Sequence, residues 1–190
     1  LPLSETFGAT LRESRQMLYA GQIKGSRYDI LREALIRSGT SNEPAKTELL
    51  VEAYGSAYNS LVQSLLVESG LANGALELLE ELHGSRPLYI NSATPESAVR
   101  ESALRLGIAR FFRDIHGEPS SKVDILKAII SDNGVSASEV LFVGDGNGDR
   151  RAAVAIGCRF VGVANDWNKW ADQQQTFPLI SSLAELRQQL

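Results

Sequence analysis

The stretch Leu141–Asp149, which reads LFVGDGNGD, decides the fold. An apolar run that begins at Val140 leads directly into a segment of glycines and aspartates. Short continuous apolar runs are typical of strands in a parallel sheet, because both faces of such a strand are buried. The stretch therefore predicts a buried strand that ends in a loop carrying Asp145 and Asp149.

The chain before this stretch has a helical pattern over residues 5–70. Apolar residues recur at helical spacing, and we predict helices over Tyr28–Ser38, which Gly39 would end, and over Lys46–Leu66. The second of these helices carries an apolar face that continues to Leu65. No strand is predicted in this half, which we expect to form a helical subdomain.

From residue 71 onward, short apolar runs alternate with predicted helices. The runs are PLYI (Pro87–Ile90), Phe111–His116, VLFV (Val140–Val143) and FVGV (Phe160–Val163), and the helices are Gly74–Leu82, Pro95–Leu106, Lys122–Ile130, one after Asp149, and Leu183–Leu190. Strands that each lead into a helix are typical of a parallel sheet covered on both faces. We therefore expect an α/β protein with a doubly wound parallel sheet.

Composition excludes several classes of protein. The chain has 190 residues, of which 43% are hydrophobic, and this is enough to form a sizeable core. A net charge of -4 argues against a nucleic-acid binder, which carries a basic face. Cys158 is the only cysteine, and no apolar run approaches the roughly 20 residues that cross a bilayer. We expect a cytoplasmic protein that binds neither nucleic acid nor membrane; the sequence leaves its oligomeric state open.

The GDGNGD segment carries two carboxylates that suit a metal ion. Ligands of open parallel sheets bind beyond the carboxyl ends of the strands, which is where Asp145 falls, and Asp149 follows one helical turn later. Mg²⁺ takes oxygen ligands and often keeps a substrate phosphate in its coordination shell. The segment therefore indicates a Mg²⁺ site, although a plain turn between strand and helix remains the alternative.

Two other motifs fit the same segment less well. An EF-hand loop also begins D-x-N-x-D, but it then requires a glycine and a glutamate where Arg150 and Ile156 stand. A dinucleotide-binding fingerprint requires a third glycine in place of Asp149, whose carboxylate would repel a pyrophosphate. Both interpretations are rejected.

A second polar segment, Asn91–Pro95 (NSATP), directly follows the PLYI run. Thr94 is placed to cap a helix whose first residue is Pro95. The Ser92 hydroxyl and the backbone N–H groups of Ala93 and Thr94 would then form an anion site at the N-terminus of that helix. Plain helix capping is the alternative.

A third candidate, Lys122, lies near the start of a predicted helix, in the segment GEPSSK. A cation is locally unfavourable there, because it faces the positive end of the helix dipole. A phosphate or carboxylate partner would offset that effect. An ordinary solvated lysine is the alternative.

The order of hydroxyl, lysine and paired aspartates, each near a strand's carboxyl end, resembles the haloacid dehalogenase-like (HAD) hydrolase superfamily. The resemblance implies that Ser92 is the phosphate-binding hydroxyl of the second motif. It implies that Lys122 is the third-motif lysine, which steadies the phosphate and the nucleophile. It also implies that Asp145 and Asp149 are the acidic pair of the fourth motif, which holds Mg²⁺.

The resemblance also implies a domain organisation. Residues 1–4 and 71–190 would form the α/β core, and residues 5–70 an inserted helical cap. Within the cap, GSRYDIL (Gly25–Leu31) resembles a stretch of phosphatase-like members, in which Arg27 would face the pocket and bind an anionic substrate. A surface arginine at a helix N-terminus is the alternative.

The first motif of the family has no counterpart in this sequence. That motif, DxDG[TV], supplies a nucleophile and a general acid from the end of a central strand, whereas the first aspartate here is Asp29. We expect the chain to be incomplete at its N-terminus relative to an active enzyme. The sheet would then be interrupted between the strands that lead to Ser92 and Asp145. Each backbone N–H or C=O group left buried and unpaired there would lower the stability of the fold by roughly 1–3 kcal/mol.

Two functions remain open. The first is Mg²⁺-dependent hydrolysis of a small phosphorylated metabolite by a HAD-type phosphatase, of which this chain alone is inactive. The second is a non-catalytic relative that binds a phosphorylated ligand or a protein partner. A dehalogenase is a weaker interpretation, because members with that activity need no Mg²⁺ and both Asp145 and Asp149 are retained here.

Overall fold

The computed structural model describes residues 5–19, 27–166 and 168–190. The chain forms two compact units, Leu1–Leu65 and Leu66–Leu190. None of the helices in the described ranges is long and apolar enough to cross a membrane.

Three helices form the described part of the first unit: α1 (Glu5–Tyr19), α2 (Arg27–Arg37) and α3 (Pro44–Ser69), which continues into the second unit. Their core is a cluster of four buried residues, Phe7, Ala34, Leu35 and Val51. The helix predicted over Tyr28–Ser38 is confirmed as α2, and Gly39 follows it with a positive φ of 67°, which glycine adopts without strain.

The apolar face predicted on α3 is only half correct. Leu50 and Tyr54 pack against the core cluster of this unit, but Tyr58, Leu61 and Leu65 remain 54%, 59% and 49% exposed. The residues that α3 buries are Thr47, Val51, Gly55 and Gln63, so its packed face is rotated from the predicted one. Gln63 is 5% exposed although Leu61 and Leu65 are not buried, because residues two apart lie on opposite sides of a helix.

The second unit alternates helices with strands, as the sequence predicts. In chain order the elements are α4 (Ala75–Leu82), β1 (Tyr89–Pro95), α5 (Glu96–Arg105), β2 (Asp114–Glu118), α6 (Lys122–Asn133), β3 (Leu141–Gly144), α7 (Asn147–Ile156), β4 (Arg159–Val163) and β5 (Leu179–Ile180). The helix predicted over Leu183–Leu190 is a 3-10 helix, Leu183–Gln189. The strand β5 was not predicted, because two residues are too few to form a sequence pattern.

The five strands form two separate parallel sheets. In one, β1 pairs with β2, with Tyr89 opposite Asp114; in the other, the order is β3-β4-β5, with Leu141 opposite Arg159. Within the described ranges no ladder joins β1 to β3, so an intact five-stranded sheet is not formed. Every residue of β3 is only partly buried, although the strand is apolar.

Helices cover both faces of the three-stranded sheet at β4. Phe160 and Val161 are consecutive and therefore point to opposite faces, yet both are buried. Val161 packs in a cluster with Leu78 of α4, and Phe160 packs in another with Ala153 of α7. A parallel strand covered on both faces is the arrangement that its continuous apolar run predicts.

An ion pair joins α5 to β2 in the two-stranded sheet. Arg100 donates hydrogen bonds to Asp114 at 2.7 Å and to Glu96 at 3.0 Å. Because Arg100 and then the backbone N–H of Ile115 donate to the Asp114 carboxylate, its pKa lies below the ordinary value. The pair fixes the helix that follows β1.

We expect Leu35→Ala to lower the stability of the helical unit by about 2–5 kcal/mol, because Leu35 is 0% exposed and its loss leaves a cavity. The adjacent Ile36 is 48% exposed, so Ile36→Ala is a matched control that should change stability by less than about 1 kcal/mol. Urea denaturation followed by circular dichroism measures both. Equal losses would show that the buried face of α2 is assigned wrongly.

Candidate functional site

Polar side chains from β1, α6 and α7 meet beyond the carboxyl ends of the strands. Lys122, the first residue of α6, donates a hydrogen bond from Nζ to Oδ1 of Asp149 in the first turn of α7. The same Nζ lies 3.4 Å from the carbonyl oxygen of Asn91 in β1. The lysine therefore links the two-stranded sheet to the helix that follows β3.

The start of α6 holds Lys122 in place. The Ser121 hydroxyl caps the helix by accepting the backbone N–H of Asp124 at 3.1 Å. From the other side, the Asn91 side-chain amide donates to the carbonyl oxygen of Lys122 at 2.9 Å. The expected partner of a cation at a helix N-terminus is thus present, and it is the Asp149 carboxylate.

Asp149 is 7% exposed, and both of its carboxylate oxygens have donors. Oδ1 accepts from Lys122, and Oδ2 accepts the backbone N–H of Gly146 at 2.9 Å, which caps the start of α7. A Cβ added to Gly144 would lie 2.5 Å from Cγ of Asp149. Glycine is therefore required at the end of β3, because the carboxylate packs directly against the backbone there.

Asp145 is exposed and has different partners from Asp149. Its Oδ2 accepts from the side-chain amide of Asn165 at 2.9 Å, and its backbone carbonyl accepts from the amide of Asn168 at 3.0 Å. Within the described ranges Oδ1 accepts no hydrogen bond. The two aspartates that the sequence groups as a pair thus have separate environments.

Sequence reasoning missed Asn165 and Asn168. They lie in the segment NDWN, directly after β4, and the rule that ligands bind beyond the carboxyl ends of strands would have indicated this loop.

Helix α5 begins at Glu96, not at Pro95, and Thr94 does not cap it. Pro95 is still part of β1, opposite Glu118 in β2, so the backbone stays extended through Thr94. The Thr94 N–H donates to the Ser92 hydroxyl at 3.1 Å and is not free for an anion. Ala93 is exposed in β1. The prediction that Ser92, Ala93 and Thr94 bind phosphate stays a prediction.

The remaining predicted residue, Arg27, is the first residue of α2, and its side chain lies outside the described part of the structure. Its role in binding an anionic substrate therefore stays a prediction.

The residues present fit a Mg²⁺ ion at Asp145. Asp145 is exposed, and its Oδ1 accepts no hydrogen bond in the described ranges. Mg²⁺ takes such carboxylate oxygens as ligands, and one or two protein carboxylates suffice when water and a substrate phosphate complete the coordination shell. Asp149 accepts hydrogen bonds from Lys122 and from the backbone of Gly146, so it would hold these two groups in place next to the metal site. Among the described residues no group of three or more His, Cys, Asp or Glu forms a metal cluster.

The fold and the site define an α/β protein with a lysine and two carboxylates at the carboxyl edge of its parallel strands. A model of the haloacid dehalogenase-like hydrolase family matches residues 3–157, and the chain belongs to this family. The resemblance inferred from the sequence is therefore confirmed, and so is the α/β fold class.

Several known proteins are similar to this chain. The phosphoglycolate phosphatase of Pectobacterium atrosepticum is 30% identical over 151 residues, which cover 76% of this chain and 63% of that protein. The structure of the HAD-hydrolase YfnB from Bacillus subtilis bound to magnesium matches with a TM-score of 0.70 and 20% identity, covering 100% of this chain and 84% of that one. The L-2-haloacid dehalogenase of Xanthobacter autotrophicus matches with a TM-score of 0.57 and 16% identity, covering 96% and 83%.

We expect Gly144→Ala to destabilise the α/β unit by about 1–3 kcal/mol, because its new methyl group would overlap the Asp149 carboxylate and force a shift. Gly148→Ala is the matched control: nothing lies within 4 Å of its Cβ position, and alanine is the better helix former. Thermal or urea unfolding of both variants tests this. A neutral Gly144→Ala would contradict the close packing of Asp149 on β3.

Replacing Lys122 alone should be costly. We expect Lys122→Met to destabilise the protein by about 3 kcal/mol, because it leaves the buried Asp149 charge without its cation. The double variant Lys122→Met, Asp149→Asn removes both charges and should be more stable than Lys122→Met alone. Urea denaturation of the wild type, both single variants and the double variant measures the coupling; simple additivity would contradict the ion pair.

Proposed function

We propose that this chain carries the phosphate- and metal-binding part of a HAD-type phosphatase site, which acts on a small phosphorylated metabolite with Mg²⁺ as cofactor. The observation that carries the proposal is the meeting of Lys122 with Asp149 and Asn91 beside Asp145. The family membership and the named activity of the Pectobacterium relative support it, although that relative is matched over only 63% of its length.

The charges of the site support a divalent cation. Two carboxylates, Asp145 and Asp149, and one ammonium, Lys122, leave one net negative charge, which would repel a phosphate dianion. Mg²⁺ bound at Asp145 would reverse that sign and offset negative charge on the phosphoryl oxygens. The Lys122 ammonium, held by Asp149, adds a fixed positive group at the same edge, and the Ser92 hydroxyl is the donor that would bind a phosphoryl oxygen.

The nucleophile is not among these residues. In the family an aspartate of the first motif attacks phosphorus, a second aspartate protonates the leaving group, and water then releases phosphate from the aspartyl-phosphate. We propose that a strand carrying this motif pairs with both β1 and β3. The interruption between the two sheets supports this, as does Oδ1 of Asn91, a buried acceptor that has no hydrogen-bond donor among the described residues.

The helical residues 5–70 would serve as the cap. A cap that closes over the site excludes water and selects the substrate, and Arg27 would bind an anionic group of that substrate. Small phosphomonoesters with a second anionic group are therefore the substrates to test first, beginning with phosphoglycolate.

A panel of phosphomonoesters tests the proposal. The 190-residue chain should show negligible hydrolysis, and the chain extended by a strand with the DxDG motif should hydrolyse at least one ester. Its activity should disappear with EDTA and fall at least about 100-fold in Asp145→Asn, because the metal's carboxylate ligand is lost. Asp132→Asn is the control, since it makes the same chemical change on the exposed surface of α6.

Three outcomes would overturn parts of the proposal. Mg²⁺-dependent hydrolysis by the 190-residue chain would show that its own residues supply the nucleophile. Hydrolysis that survives EDTA would exclude the metal. An extended chain that binds phosphate and Mg²⁺ but hydrolyses no ester would favour the non-catalytic binding protein.

A further inference from the structure

The loop after β4 holds Asp145 at two points. The Asn165 amide donates to Oδ2 of the Asp145 side chain at 2.9 Å, and the Asn168 amide donates to the Asp145 backbone carbonyl at 3.0 Å. We propose that these two asparagines position Asp145 so that it offers a cation one oxygen, Oδ1, and that Asn165 thereby makes the site select Mg²⁺ over Ca²⁺. This inference rests on the proposed function of the same site.

The loop is itself fixed, which a positioning role requires. The backbone N–H of Asn165 donates to Oδ1 of Asn168 at 3.1 Å, and the backbone N–H of Asn168 donates to Oδ1 of Asn165 at 2.9 Å. The Asn168 amide also donates to the carbonyl of Val163 in β4 at 2.8 Å. The two side chains are therefore held to each other and to the end of a buried strand.

The loop is also anchored to the hydrophobic core. Oδ1 of Asn168 accepts the backbone N–H of Trp170 at 3.0 Å, and Trp170 is buried edge-on against Phe160 and Phe177. Rotating the Asn165 amide away from Asp145 would thus disturb a closed set of hydrogen bonds next to a packed aromatic cluster. The carboxylate of Asp145 is exposed, but the two asparagines that donate to this residue have hydrogen bonds of their own to each other and to β4.

The consequence for a bound cation follows from coordination chemistry. Mg²⁺ takes six ligands in near-octahedral geometry and needs one oxygen from a carboxylate, whereas Ca²⁺ takes six to eight ligands and often binds both oxygens of one carboxylate. At Asp145 the second oxygen already accepts the Asn165 amide. Bidentate binding would place the cation on the same oxygen that accepts the Asn165 amide and would weaken that hydrogen bond, so this energetic cost falls on Ca²⁺ and not on Mg²⁺.

Asp149 does not compensate for this restriction. Its two oxygens already accept from Lys122 and from the Gly146 backbone, so within the described structure it offers Ca²⁺ no second bidentate carboxylate. The preference of the site between the two cations is therefore set at Asp145, by the residue that donates to its Oδ2.

Competition experiments with the 190-residue chain test the inference. Mn²⁺ binding is measured by electron paramagnetic resonance of the free ion, and Mg²⁺ or Ca²⁺ is then added to displace it. In Asn165→Ala the ratio of Ca²⁺ affinity to Mg²⁺ affinity should rise about tenfold, the equivalent of one hydrogen bond to a charged acceptor. Asn147→Ala is the matched control, because this exposed asparagine of the same site region has no hydrogen bond to Asp145, and its ratio should not change.

Asp145→Asn separates failure of this inference from failure of the proposed function. If Mn²⁺ binds equally to the wild type and to Asp145→Asn, the metal site itself is wrong. If Asp145→Asn abolishes binding but Asn165→Ala keeps the wild-type ratio, the metal site stands and the selectivity role is overturned.

A second measurement, made on the wild type, tests the inference even if the Asn165→Ala variant fails to fold. The infrared carboxylate stretches of the wild type, assigned to Asp145 by subtraction of Asp145→Asn, distinguish binding through one oxygen from binding through two. We expect the separation of the two stretches that is typical of one-oxygen binding with both Mg²⁺ and Ca²⁺. A two-oxygen separation with Ca²⁺ in the wild type would overturn the inference.

Discussion

The ion pair between Lys122 and Asp149 is the interaction on which the rest of the site depends. Each charge is largely removed from water, and a charge in that position is tolerated only with its partner. The pair also lies where two helices begin. A carboxylate is favourable at the N-terminus of α7, whereas an ammonium at the N-terminus of α6 is not, so Asp149 stabilises both helices at once. Through the contacts of Lys122 with Asn91, the same pair is also joined to β1.

This constraint gives the two aspartates of GDGNGD different roles. Asp149 is buried, and its two carboxylate oxygens accept hydrogen bonds from Lys122 and from the backbone N–H of Gly146. Asp145 lies one helical turn earlier, at the end of the strand, where it is exposed and is held by the loop after β4. A sequence pattern treats them as equivalent carboxylates. The structure separates a residue that organises the site from one that has an oxygen to offer a ligand.

The same difference explains how much could be predicted from the sequence. The helix α2 and the strand-to-helix transition at β3 were predictable because local signals decide them, namely Gly39 and an apolar run followed by glycines. The start of α5 was not, because pairing of Pro95 with Glu118 overrides the local capping preference of Thr94. Asn165 and Asn168 belong to no motif, since their role depends on a neighbour about twenty residues earlier in the chain.

The interruption of the sheet and the candidate site lie at the same place. Within the described ranges β1 and β3 each pair with a strand on one side only, and the contacts of Lys122 with Asn91 and Asp149 join β1 to the helix that follows β3. An unpaired edge binds another strand through its free backbone groups. A parallel strand that paired with both edges would also deliver its own carboxyl-end residue between Ser92 and Asp145. Such a strand would complete the sheet and the proposed site together, because the backbone hydrogen bonds that stabilised the strand would also set the position of the side chain at its end.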